Sequence, residues 1–242
     1  MRNIKLILEY DGTDFVGWQR QKFGRSVQSE LENALLKLIQ EKVNVIGAGR
    51  TDSGVHARGQ TANFRCESLM SVTQIKRGLA ALLPDDVCVL TAEEVTLDFH
   101  ARYSAKSRMY SYAITTQQSA LLRKYLWFVK YELDFDLLKK CAIKIKESTD
   151  FKVFCRANSD VNHYMCNVLK SEWSMTGKYL RYEIESNRFL HGMVRSLVGS
   201  MVNVGRGYLE LEDFYLNILL KNRNKIGQAA PACGLVLESV QY

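Results

Sequence analysis

The sequence predicts an α+β protein made of two successive mixed halves, their sheets side by side or fused into one. Three observations predict this. Short strand-like apolar stretches alternate with amphipathic helical stripes, the order of elements begins again after Ala105, and neighbouring strands are joined by turns rather than long crossovers. The composition, 47% hydrophobic and 24% charged over 242 residues with 2 prolines, is that of an ordinary folded chain. A chain of this length buries roughly 70–75% of its unfolded surface and needs neither disulfide nor metal to hold a core.

The first half opens with a strand over residues 4–10, stopped by Asp11-Gly12. Leu31, Ala34, Leu35, Leu38 and Ile39 then fall on one helical face, with Ser26 or Ser29 as N-cap. Residues 43–49 read as a short strand running into glycines, and 59–65 alternates as another, with a loop between them. Val72, Ile75, Leu79 and Leu82 mark a helix over 72–82 ended by Pro84, and Val87 to Leu90 is a short buried strand. In the second half Met109 to Ile114 is a strand, and Leu138, Cys141, Ala142 and Ile145 form a helical stripe entered through Asp134 or Asp136. A hairpin over 167–174 and 179–185 turns at Thr176-Gly177. Met193, Val194, Leu197, Val198, Met201 and Val202 share a helix face closed by Gly205 and Gly207, and a shorter helix at 211–220 precedes a closing strand at 234–240.

Thirty-three Lys and Arg against 26 Asp and Glu give a net charge of +7. The excess is lopsided: residues 1–105 carry 13 basic and 13 acidic side chains, residues 106–242 carry 20 and 13. Such a distribution leans towards a polyanionic partner. The six cysteines form no CxxC pair and the four histidines no HExxH cluster, which argues against zinc and redox roles. The opening MRNIKLILEYDG offers no signal-peptide core, and no stretch approaches the ~20 apolar residues of a membrane span, so a cytoplasmic location without membrane association is expected.

The most unusual stretch is Gly47 to Gln60, GAGRTDSGVHARGQ, where four glycines, one carboxylate, a histidine and two arginines crowd between two strands. A dinucleotide fingerprint fails because Asp52 stands where the third glycine belongs and a strand follows. A phosphate loop fails for want of Gly-Lys-Ser/Thr. What remains is either a glycine-rich hairpin with solvated charges or a ligand loop in which Asp52, flanked by Arg50 and Arg58, is kept ionised and aimed. A carboxylate so held suits a sugar carbon or a developing cation, although the second carboxyl of a conventional glycosidase is missing.

The loop resembles the RTDxGVHA signature of the tRNA pseudouridine synthase A family. Further segments resemble that family in order: Phe99 to Ala105, Ser107 to Tyr112, Phe189 to Arg195, then Ala230-Pro231 with Gly234-Leu235. The resemblance spans nearly the whole chain. It implies two ferredoxin-like halves, 1–105 and 106–242, joined into one mostly antiparallel sheet with helices on one face and a catalytic cleft between them. It also implies a cofactor-free homodimeric isomerase that converts uridine to pseudouridine in the tRNA anticodon stem-loop, at tRNA positions 38 to 40.

By motif position, Asp52 matches the family's catalytic aspartate, and the choice between addition to C1′ and removal of a proton from C2′ stays open. Tyr110 matches the aromatic that lies against the target base, Arg50 the arginine that enters the space left by the flipped nucleotide, and Arg195 the arginine that pairs with the aspartate. Leu235 matches an apolar residue under the base, though a leucine in a closing strand also serves simply as core. Tyr112 shares the strand face of Tyr110 and reads as core packing. For His56, Arg58 and His100, loop hydrogen bonding explains the residue as well as substrate contact does. The alternative is a non-catalytic RNA-binding protein with RRM-like halves, against which stand the missing RNP1 octamer and the superfluous Arg50-Thr51-Asp52 loop. A small-molecule glycosidase using Asp52 would leave the basic second half unexplained.

Overall fold

The computed structural model describes residues 1–156, 161–221 and 227–242. Two compact units emerge: Met1–Lys106 with Val236–Tyr242, and Ser107–Leu235. The last seven residues therefore belong with the first unit, whereas the expected division puts all of 106–242 together.

The first unit is α+β in the expected order: β1 (Arg2–Tyr10), α1 (Val27–Ile39), β2 (Ile46–Gly47), β3 (His56–Cys66), α2 (Val72–Leu82) and β4 (Val87–Val95). β1 lies between β4 and β3, antiparallel to both. Its alternate residues Ile4, Leu6, Leu8 and Tyr10 are buried, the period-2 pattern of a sheet with one covered face. α1 is closed at its start by a reciprocal cap between Ser26 and Ser29, α2 by one between Ser71 and Gln74. The stripe of α1 buries Leu31, Ala34 and Leu35, while Leu38 is half-buried against Gly78 of α2.

Four expectations are corrected here. The strand over 43–49 shrinks to Ile46–Gly47, because the backbone of Val45 is met by α1 side chains instead of a ladder: its carbonyl accepts from Gln28 Nε2 at 3.0 Å and its N–H donates to Glu32 Oε1 at 3.1 Å. β4 runs five residues beyond Leu90 along β1, its polar end charged by Glu93 and Glu94, which pair with Lys5 and Arg2. β3 begins at His56, not 59, because His56 and Ala57 pair in parallel with Val236 and Leu237 of the closing strand β9 (Leu235–Gln241). Leu82, expected on the buried stripe, is 40% exposed.

The second unit runs β5 (Ser107–Thr115), β6 (Trp127–Phe128), α3 (Phe135–Glu147), β7 (Val168–Thr176), β8 (Tyr179–Ser186), α4 (Met193–Gly205) and α5 (Leu211–Leu219). Its strand, helix, hairpin, helix order repeats the ferredoxin-like scheme. β8 is antiparallel to β5 and β7, and the short β6, absent from the sequence reading, lies parallel to the end of β5. All four expected residues of α3 are buried, and Asp134 caps it by accepting from the N–H groups of Asp136 and Leu137. All six expected residues of α4 are buried as well.

Candidate active site

In the first unit the loop between β2 and β3 is fastened on both sides of Asp52. Thr51 is buried, its hydroxyl 2.8 Å from that of Tyr10, and its carbonyl accepts from Trp18 N–H at 3.1 Å. Ser53 Oγ and Gly54 N–H both donate to the carbonyl of Phe15, at 3.1 and 3.3 Å. Val55 N–H closes a turn onto the Asp52 carbonyl at 3.2 Å. Asp52 is half-buried and Arg50 exposed.

The clamp on this loop is the segment from Asp11 to Arg25, which sequence reasoning passed over. Gly17 lies where a Cβ would stand 2.6 Å from the Thr51 carbonyl oxygen, and its φ of +112° is one that other residues rarely adopt. The segment is itself anchored by Arg25. Its guanidinium forks onto Asp86 at 2.6 and 2.8 Å, reaches Glu30 at 2.7 Å and lies 4.2 Å from the Phe15 ring centre. Hydrogen bonding to Asp86 holds the Arg25 pKa above its usual range. Gly12, Gly17 and Gly24 within thirteen residues are the one sequence signal that marks this segment.

His56, Arg58 and His100 all have local partners. His56 Nδ1 is 3.1 Å from both Gly12 N and Asp11 Oδ1. Since Thr13 already donates twice to that Asp11 oxygen, at 3.0 and 2.6 Å, the tautomer that accepts from Gly12 fits best. Arg58 pairs with Glu238 at 3.0 Å, and His100 Nδ1 accepts from the N–H groups of Arg102 and Tyr103.

Tyr110, Arg195 and Leu235 lie in the second unit. Tyr110 is 8% exposed, and its ring meets Phe189 edge-on at 5.1 Å. Tyr112 is fully buried, and its hydroxyl donates to the Pro231 carbonyl at 2.7 Å, with Gly234 pressed against its ring. Burial pushes the Tyr112 phenol above its usual pKa, so it stays a donor. The segment before β9 is also stitched to α4: Arg195 Nε donates to the Ala230 carbonyl at 2.7 Å, while Ala230 N–H donates to the Arg195 carbonyl at 2.9 Å. That bond fixes the plane of the guanidinium. Leu235 is 5% exposed, following a one-turn 3-10 helix. Burial raises the Cys233 thiol too, which keeps it from acting as a ready thiolate. The five expected site residues thus divide between the units, Arg50 and Asp52 on one and the other three on the second.

A sequence profile of the family described as tRNA pseudouridine synthase matches residues 6–104 and 148–242. Among relatives, a tRNA pseudouridine synthase A of Acetivibrio thermocellus is 40% identical over 244 residues, covering all of both chains. Proteins of the same name from Caldicellulosiruptor bescii and Chlorobium phaeovibrioides are 39% and 41% identical, again end to end. The chain belongs to the tRNA pseudouridine synthase family. It is thereby a member of an isomerase family. The matched segments contain the Asp52 loop, the 189–195 segment and Leu235. Tyr110 falls in the interval between them and is covered instead by the full-length likeness to the synthase A relatives. Among the described residues no helix is long and apolar enough to cross a membrane.

Proposed function

We propose that this chain isomerises uridine to pseudouridine in the anticodon stem-loop of tRNA, with Asp52 acting on the ribose of a flipped nucleotide. The observation that carries the proposal is the way the loop presents its single carboxylate: Thr51 is held inward and Ser53-Gly54 are pinned to Phe15. Preorganisation of this kind places a reacting group without reorganisation during the reaction. The N1–C1′ bond breaks, the detached uracil turns, and a C5–C1′ bond forms while C5 loses its proton and N1 gains one. Atoms and electrons are conserved, so the reaction calls for no redox partner.

The other roles follow the family motif. Tyr110 offers a ring for the base to stack on, worth ~1–3 kcal/mol per base. Arg195, its plane set by Ala230, pairs with Asp52; Arg50, exposed beside the carboxylate, enters the gap left by the flipped nucleotide; Leu235 lies under the base. We further propose that the halves join in one sheet with the site in the cleft between them, and that the enzyme works as a cytoplasmic homodimer.

The test is tritium release from tRNA carrying C5-tritiated uridine. Release at a rate that rises with enzyme concentration is expected. Tight tRNA binding without release would instead favour a non-catalytic RNA-binding protein.

A further inference from the structure

The proposed chemistry leaves unused a cavity of about 650 Å³ in the second unit. Trp127, Tyr131, Asn203, Arg206 and Tyr208 wall it together with Lys130, and among the described residues no carboxylate lines it. Its volume is in the range of sites that hold a nucleotide-sized ligand. Arg206 is held there in an unusual way. Its guanidinium carbon lies 4.5 Å from the centre of the Tyr208 ring and 5.1 Å from that of Tyr131. Its Nε is buried and has no hydrogen-bond partner among the described residues. A guanidinium carries five N–H donors, and a buried donor left unsatisfied costs stability unless a ligand meets it. The two tyrosines fix this cation without occupying its donors. Lys130 lies 5.2 Å from the Tyr131 ring centre and, like Arg206, joins no ion pair among the described residues.

We propose that this cavity holds one unstacked nucleotide of the RNA substrate, other than the one that reacts, with its base against the aromatic walls and its phosphate on Arg206 and Lys130. The inference rests on the tRNA reading above. Aromatic faces beside fixed cations are the recurring means of holding single-stranded nucleotides. A second copy of this chain fits poorly, since the same face on both copies would bring cations together with no lining carboxylate to receive them. None of Asp52, Tyr110, Arg195 and Leu235 lines the cavity, so the contact adds grip rather than chemistry.

Tyr208 is 76% exposed, and the backbone of Arg206 closes α4 whatever its side chain, so both can be changed without touching the core. Tyr208→Ala and Arg206→Gln are each expected to raise KM and the filter-binding Kd for tRNA about tenfold, with kcat at saturating tRNA unchanged. Tyr208→Phe should keep the wild-type KM. Both constants unchanged in both variants would overturn the proposal. So would tryptophan fluorescence titrations in which UMP or AMP binds the wild type, loses affinity in the variants, and tRNA affinity stays constant, because the site would then serve a free nucleotide. Loss of tRNA affinity only in step with a smaller sedimenting species would assign the face to contact between copies and equally overturn it. The two readings fail separately. A wild-type protein that binds tRNA but releases no tritium sinks the isomerase reading and leaves the Kd comparison to decide the cavity, whereas active wild type with indistinguishable variants sinks the cavity alone. A wild-type protein without tRNA affinity overturns both.

Discussion

Asp52 lies in a loop that is held from several sides. Arg58 is paired with Glu238 and His56 is fastened to Gly12, while the backbone on either side of Asp52 is secured to Tyr10, Trp18 and Phe15. Asp52→Asn should keep the fold and the tRNA affinity while pseudouridine formation falls below a few per cent of the parent rate, as measured by tritium release. Tyr110 packs edge-on against Phe189, so Tyr110→Ala removes a buried ring and should cost stability, about 3–5 kcal/mol, as well as turnover. Tyr110→Phe keeps the ring and should retain the fold and much of the tRNA affinity; equal behaviour of the two variants would refute a stacking role. Arg195→Leu loses the bond to Ala230 and should destabilise the protein by itself. If the guanidinium also pairs with Asp52, a double-mutant cycle on unfolding with Asp52→Ala will show coupling above about 0.5 kcal/mol. The Asp52 loop stands out in the sequence because its motif is contiguous. What holds Asp52 was not, because Tyr10 is 41 residues from Thr51 and meets it only through the fold.

The helices are the elements the sequence describes best, since a stripe such as Leu138, Cys141, Ala142 and Ile145 needs only one buried side. Their starts are legible too, from residues that compete for backbone N–H groups. Ser26 is wholly buried at the start of α1, and Ser26→Ala should cost ~1 kcal/mol and lower the melting temperature by about 2–4 °C, which calorimetry will measure. Strands were read less well, for reasons that lie outside their own residues. Val43 and Val45 are buried as expected of a strand, yet Gln28 and Glu32 take the backbone of Val45. The far end of β4 is a polar stretch whose strand character comes from pairing with β1, where Lys5 and Arg2 meet its glutamates. Nothing in residues 56–58 marks them as strand either, because their partner comes from the other end of the chain.

For the molecule as a whole, the lopsided charge makes a prediction about binding. If phosphate contacts come mainly from residues 106–242, affinity for tRNA should fall steeply with salt, with a log–log slope of roughly −0.7 to −0.9 per phosphate contacted. Neutralising lysines there should flatten the slope more than neutralising those in residues 1–105; filter binding across a salt series checks both. The halving of the chain was legible from the repeated order of elements, but not the allegiance of its last strand, since LVLESVQ carries no mark of which unit it joins. That strand also sets a timetable. β9 completes the first unit through the parallel pairs at His56 and Ala57, the Arg58–Glu238 ion pair and the bond from Tyr242 to the Ala101 carbonyl. During synthesis the ribosome finishes residue 106 and then adds about 130 more before those partners exist, an interval on the order of ten seconds. Until then the edge of β3 that leads out of the Asp52 loop lacks its neighbour, so a nascent or C-terminally clipped chain carries the Asp52 carboxylate on an unfinished support.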